Sequence, residues 1–130
     1  QMVNVGKQIA YWKESAEEDW LVAGDLLEKK RIRHALFFGH LTLEKILKAH
    51  VCRVTGELAP PIHNLVRLAE RAAIELSDKQ RDLLAEVNEF NIEGRYPDSR
   101  LAPLNLEIAK EYLKQIAEIR ECLITLFKKP

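Results

Sequence analysis

Apolar residues recur three and four positions apart along most of this chain, and that period constrains the fold more than any other feature. Ile9, Trp12, Ala16, Trp20, Ala23 and Leu27 share one face of a helix expected from about Lys7 to Lys29. Its early Glu14, Glu17, Glu18 and Asp19 and its late Lys29 and Lys30 suit the helix dipole. After a basic break at Arg31 to Arg33, a second helix is expected to reach about Val54. Its apolar residues run around most of its girth (Leu36, Leu43, Leu47 and Val54 on one side, Phe37, Phe38, Leu41 and Ile46 on others), as in the central helix of a bundle or one shared with a dimer contact. Thr55-Gly56 ends it, and Pro60-Pro61 forbids continuation.

Three further helices follow. Leu65, Leu68, Ala72 and Leu76 define a short one with Asn64 as N-cap. Ser77-Asp78-Lys79-Gln80 reads as a capping box opening a fourth, which carries Leu83, Leu84, Val87 and Phe90 and stops near Gly94. A polar loop from Asn91 to Arg100 leads to Pro103, placed for the first turn of a last helix through Leu106, Ala109, Leu113, Ile116 and Leu123. No strand, repeat or linker interrupts this pattern. The expected fold is all-α, an up-and-down bundle of about five helices in one domain spanning residues 2–130, with Gln1 read as an appended residue.

Composition narrows the function classes. The formal net charge is zero, so the chain as a whole offers no field for a long polyanion. Cys52 and Cys122 lie far apart in apolar surroundings and read as small buried hydrophobes in a reducing, cytoplasmic compartment. Neither an apolar leader nor a membrane-length apolar run is present, so no membrane role is expected. Walker A, GxGxxG, HExxH, GxSxG and zinc spacings are all missing, and neither a cofactor nor a metal is expected.

Three polar features remain. In the late loop, Arg95 offers a guanidinium fork to phosphate and Tyr96 an aromatic face to a base. The plainer reading has the edge on spacing alone: a buried Tyr and an Arg satisfying helix-end carbonyls. His63 follows Pro60-Pro61 at a helix start, where an imidazole can join in holding an anion, though such a residue more often hydrogen-bonds locally. On the second helix, His34, Glu44, Lys45, Lys48 and His50 interrupt an apolar surface. Glu44 and Lys48 read there as a surface i,i+4 ion pair, and His40 with Glu44 is too little for a metal site. The charge runs Glu17-Glu18-Asp19 and Lys29-Lys30-Arg31 read as solvated faces.

These elements together resemble the HEPN domain (higher eukaryotes and prokaryotes nucleotide-binding). The resemblance is carried by Trp12 with Ala16-Glu17-Glu18-Asp19, by Leu43-Glu44-Lys45-Ile46-Leu47-Lys48-Ala49, by Pro61-Ile62-His63-Asn64-Leu65 and by Gly94-Arg95-Tyr96-Pro97-Asp98, over residues 10–127. It implies a dimerising helical bundle, and for short prokaryotic members a minimal nucleotidyltransferase as partner in a toxin–antitoxin-like module. In the ribonuclease branch an Arg is followed four to six residues later by a His near the start of a late helix. Here no His follows Arg95, and the Arg33-x6-His40 spacing lies on the wrong helix. The resemblance therefore implies a nucleotide- or RNA-associated binding subunit, a homodimer, with Arg95, Tyr96, His63 and Lys45 facing ligand or partner and no catalytic residue assigned. Two alternatives stand beside it: a metal-independent endoribonuclease using Arg95 with His63, and a purely structural dimeric adaptor.

Overall fold

The computed structural model describes residues 4–91 and 104–128. Five α-helices are present among them, and no strand: α1 (Val5–Glu28), α2 (Ile32–Thr55), α3 (Leu65–Arg71), α4 (Asp78–Val87) and α5 (Leu106–Thr125). Short 3-10 turns extend α4 over Asn88–Asn91 and α5 over Leu126–Lys128.

Side chains close the starts of four of the five helices, at Asn64 and Ser77 as expected, while α2 opens after Arg31 with no side-chain cap. Asn4, Asn64 and Asn105 accept from the third backbone N–H of α1, α3 and α5. Ser77 and Gln80 form both halves of the capping box on α4. The C-termini are less conventional. Gly56 closes α2 in the left-handed conformation (φ 70°), but Lys30 (φ 63°) and Ala73 (φ 55°) do the same after α1 and α3 without being glycine. At each, the next N–H reaches back to a carbonyl five residues earlier, Arg31 to Leu26 at 2.8 Å and Ile74 to Ala69 at 3.0 Å, which is the Schellman arrangement. Ala73 thereby stops α3 at Arg71, well short of Leu76.

α1 and α2 form a long antiparallel hairpin. α5 lies antiparallel to α1, since Lys13 meets Phe127, Glu17 meets Arg120, and Trp20 and Leu27 share a groove with Leu113 and Lys110. α2 is the central helix, with fourteen of its 24 residues buried, including Leu36, Leu43 and Leu47 at 0 % exposure. It comes so close to α5 at Gly39 that an added Cβ would stand 3.0 Å from Leu113 and 3.1 Å from Ile116. The core continues through Leu65, Leu68, Leu84, Val87, Ile116 and Leu123. Cys52 is buried as its surroundings imply, but Cys122 is exposed, in the cleft where α5 passes the start of α4; both are free thiols.

Candidate functional site: an imidazole tethered to a buried carboxylate

Charged side chains penetrate the face of α2 that a simple amphipathic pattern would leave apolar. Glu44 and Lys48 are 4 % and 6 % exposed, so the pair is buried rather than a surface decoration. Lys48 Nζ donates to Glu44 Oε2 at 3.1 Å and also lies 5.2 Å from the centre of the Trp12 ring. Burying two charges carries a large desolvation cost, which is tolerable only because each has the other and further partners.

His63 supplies one of those partners from outside the hairpin. It stands in the turn between Pro61 and the N-cap of α3, 60 % exposed at its side chain. Its Nδ1 lies 3.1 Å and 3.2 Å from the two oxygens of Glu44. A carboxylate only accepts, so Nδ1 carries the proton and donates. In the neutral ring Nε2 is left with its lone pair, on a half-open imidazole. His40, one turn before Glu44, fixes the other end of this residue: its Nε2–H donates to the His63 carbonyl at 3.1 Å. His63 is thus held by backbone and by side chain, both from α2.

His40 is fully buried, and its Nδ1 has no hydrogen-bond partner, standing 3.7 Å from Glu44 Oε1. Burial pushes its pKa down to about 4, against an opposing pull from Glu44. It is neutral at ordinary pH and works as a strut.

Lys45 turns away from this group toward α1. Its ammonium sits 2.6 Å from Asp19 and 2.7 Å from Ser15 Oγ, pinning the hairpin together. Of the four residues expected to face ligand or partner, His63 lies at the site and Lys45 is engaged in the α1–α2 pin; Arg95 and Tyr96 lie outside the described residues, as does the expected stop at Gly94. The last helix, expected to take Pro103 into its first turn, starts instead at Leu106, because the extended Asn105 caps it there. Sequence spacing did not reveal the Glu44–His63 contact. The only clue is that Glu44 is the one acid of α2, with a histidine just past the Pro60-Pro61 turn.

A second histidine of α2 makes a different kind of contact. His50 Nε2–H donates to the Leu123 carbonyl at 2.7 Å, its Nδ1 accepts from Arg53, and its ring stacks on Phe127 at 3.7 Å. Burial lowers its pKa to about 4. No group of three or more His, Cys, Asp or Glu able to hold a metal is found among the described residues.

The fold and the site define a small all-α bundle that presents one imidazole, oriented by a buried acid–base pair, on its surface. The HEPN domain family model matches residues 9–127, nearly the whole chain, and the chain belongs to that family. Membership supports a nucleotide- or RNA-associated role. Comparison with curated proteins and with solved structures gives no match. No described helix is long and apolar enough to cross a membrane.

Proposed function

We propose that the chain is a nucleotide- or RNA-binding subunit that works as a homodimer beside a minimal nucleotidyltransferase, in a toxin–antitoxin-like pair. The observation that carries the ligand-binding part is His63: an exposed imidazole whose Nδ1 is bound to buried Glu44, leaving Nε2 to accept from a base amino group or, when the ring is protonated, to donate to a phosphate. Preorganisation of this kind lowers the entropic cost of each contact the ring makes. The partner part rests on the family pattern in the sequence, with Arg95 as phosphate contact and Tyr96 as stacking face. Fluorescence anisotropy with a labelled single-stranded RNA and with a nucleoside triphosphate tests the ligand. His63→Ala and Arg95→Ala should each weaken binding about tenfold, the scale of one charge-assisted hydrogen bond. Unchanged affinity in both variants overturns the site assignment.

A second reading is favoured by the same geometry. A histidine steadied by a carboxylate, with its other nitrogen facing outward, is what general acid–base cleavage of RNA requires. In that case the protein is a metal-independent endoribonuclease in which His63 moves the proton of the attacking hydroxyl and Arg95 holds the phosphate. Cleavage of RNA by the purified chain in the presence of a chelator, abolished by His63→Ala, would replace the binding-subunit reading with this one. Co-purification of a nucleotidyltransferase with no ligand affinity in the isolated chain would instead support a purely structural adaptor.

A further inference from the structure

α1 and α5 are joined at one end and parted at the other. Glu17 and Arg120 form an ion pair across them, and the same guanidinium covers the Trp20 ring at 5.4 Å. Beyond Trp20 the helices leave a groove of about 670 Å³ between them. Its floor is apolar, with Trp20, Leu27 and Leu113, and Leu21 stands beside it at 61 % exposure. Its rims carry opposite charge: Asp25 and Glu28 on α1, Lys110 and Lys114 on α5. No ion pair joins the two rims among the described residues; the pair that Lys110 makes is with Glu107 of its own helix, at 3.9 Å. Gly24, an interior helical residue that weakens α1 relative to alanine, also lines the groove. A Cβ there would meet nothing within 4 Å, so no intramolecular packing asks for glycine.

The geometry points to a second copy of this chain as the occupant. A twofold axis running along the groove lays α1 of one copy over α5 of the other, at the same level along the helices. Asp25 and Glu28 then face the partner subunit's Lys110 and Lys114, and the reverse contact forms at once, as an isologous interface requires. A twofold axis across the groove would instead set like charges together. The partner's exposed Leu21 then lies over the α5 side of the groove, at the level of Leu113. This assignment rests on the homodimer reading above and gives it a surface.

Sedimentation equilibrium of the full chain tests it through charge reversal. Asp25→Lys with Glu28→Lys, and separately Lys110→Glu with Lys114→Glu, should each weaken the dimer about a hundredfold, because like charges then meet in both contacts. All four reversals in one chain should restore the dimer to within about tenfold of wild type. Mixing the two double variants should yield a one-to-one heterodimer. These side chains are solvent-facing rims, and circular dichroism confirms folding; if a double variant fails to fold, Leu21→Glu supplies the same loss of dimer. A wild-type dimer indifferent to both reversals and to Leu21→Glu overturns the groove and leaves the homodimer standing. A monomer at every attainable concentration overturns both, while the RNA titration still decides the ligand.

Discussion

His50 and His63 each tie another part of the chain to α2, and they do it in opposite ways. His50 spends both ring nitrogens internally, on the Leu123 carbonyl and Arg53, and stacks its face on Phe127. His63 gives one nitrogen to Glu44 and keeps more than half of its surface open. The first latches α5 to α2. The second is a group prepared for something outside the fold. Counting histidines would not separate them; the number of satisfied ring nitrogens does.

The largest break in that contrast should come from the acid beneath His63. Glu44→Ala strands Lys48 in a buried position and should cost about 3 kcal/mol by urea denaturation. Glu44→Leu with Lys48→Met should recover most of that loss, because an apolar pair replaces a buried ionic one. The double variant keeps the fold and frees His63, so it separates stability from orientation.

The next effect compares the histidines directly. His50→Ala removes a buried hydrogen bond and an aromatic stack and should cost about 2–3 kcal/mol. His63→Ala takes a partner from buried Glu44 but opens that carboxylate to water, and should cost about 1 kcal/mol. Equal losses in thermal unfolding would erase the distinction.

Acid sharpens it further. His40 and His50 both titrate near 4 in the fold, below the ordinary 6.5 of the unfolded chain. The unfolded state therefore takes up protons first as pH falls. Stability contributed by these neutral rings is complete above pH 6.5 and drains away toward pH 4, by up to about 1.4 kcal/mol per pH unit for each ring. Denaturation midpoints at pH 7 and pH 5 measure the slope, which His50→Gln should reduce by about half.

The mildest prediction concerns a helix end. Ala73 holds a left-handed conformation that costs a non-glycine residue about 1 kcal/mol. Ala73→Gly should raise stability by about 0.5 kcal/mol, the strain relieved being partly offset by glycine's freedom in the unfolded chain.

How far the sequence anticipates all this differs element by element. Asn64, the Ser77–Gln80 box and Gly56 are local signals, read within four residues, and each sits where the sequence puts it. The ends of α1 and α3 are not legible in the same way, because Lys30 and Ala73 take a role usually given to glycine. The i,i+4 spacing of Glu44 and Lys48 is common on solvated faces, so burial reverses its meaning without altering the pattern. The contact of Glu44 with His63 spans nineteen residues and the Pro60-Pro61 turn, and depends on how α3 folds back on α2. Asn88 fixes that return: its side chain accepts from the Leu65 N–H at 2.8 Å and donates to Asn64 at 3.2 Å, linking the end of α4 to the start of α3.

The most direct test of the account is heteronuclear NMR of the imidazole nitrogens at neutral pH, before and after addition of a short single-stranded RNA. The account predicts the Nδ1–H tautomer for neutral His63 and Nε2–H for His40 and His50, with RNA shifting the His63 Nε2 resonance alone. An Nε2–H tautomer at His63, or an RNA-induced shift confined to His40 and His50, would contradict it.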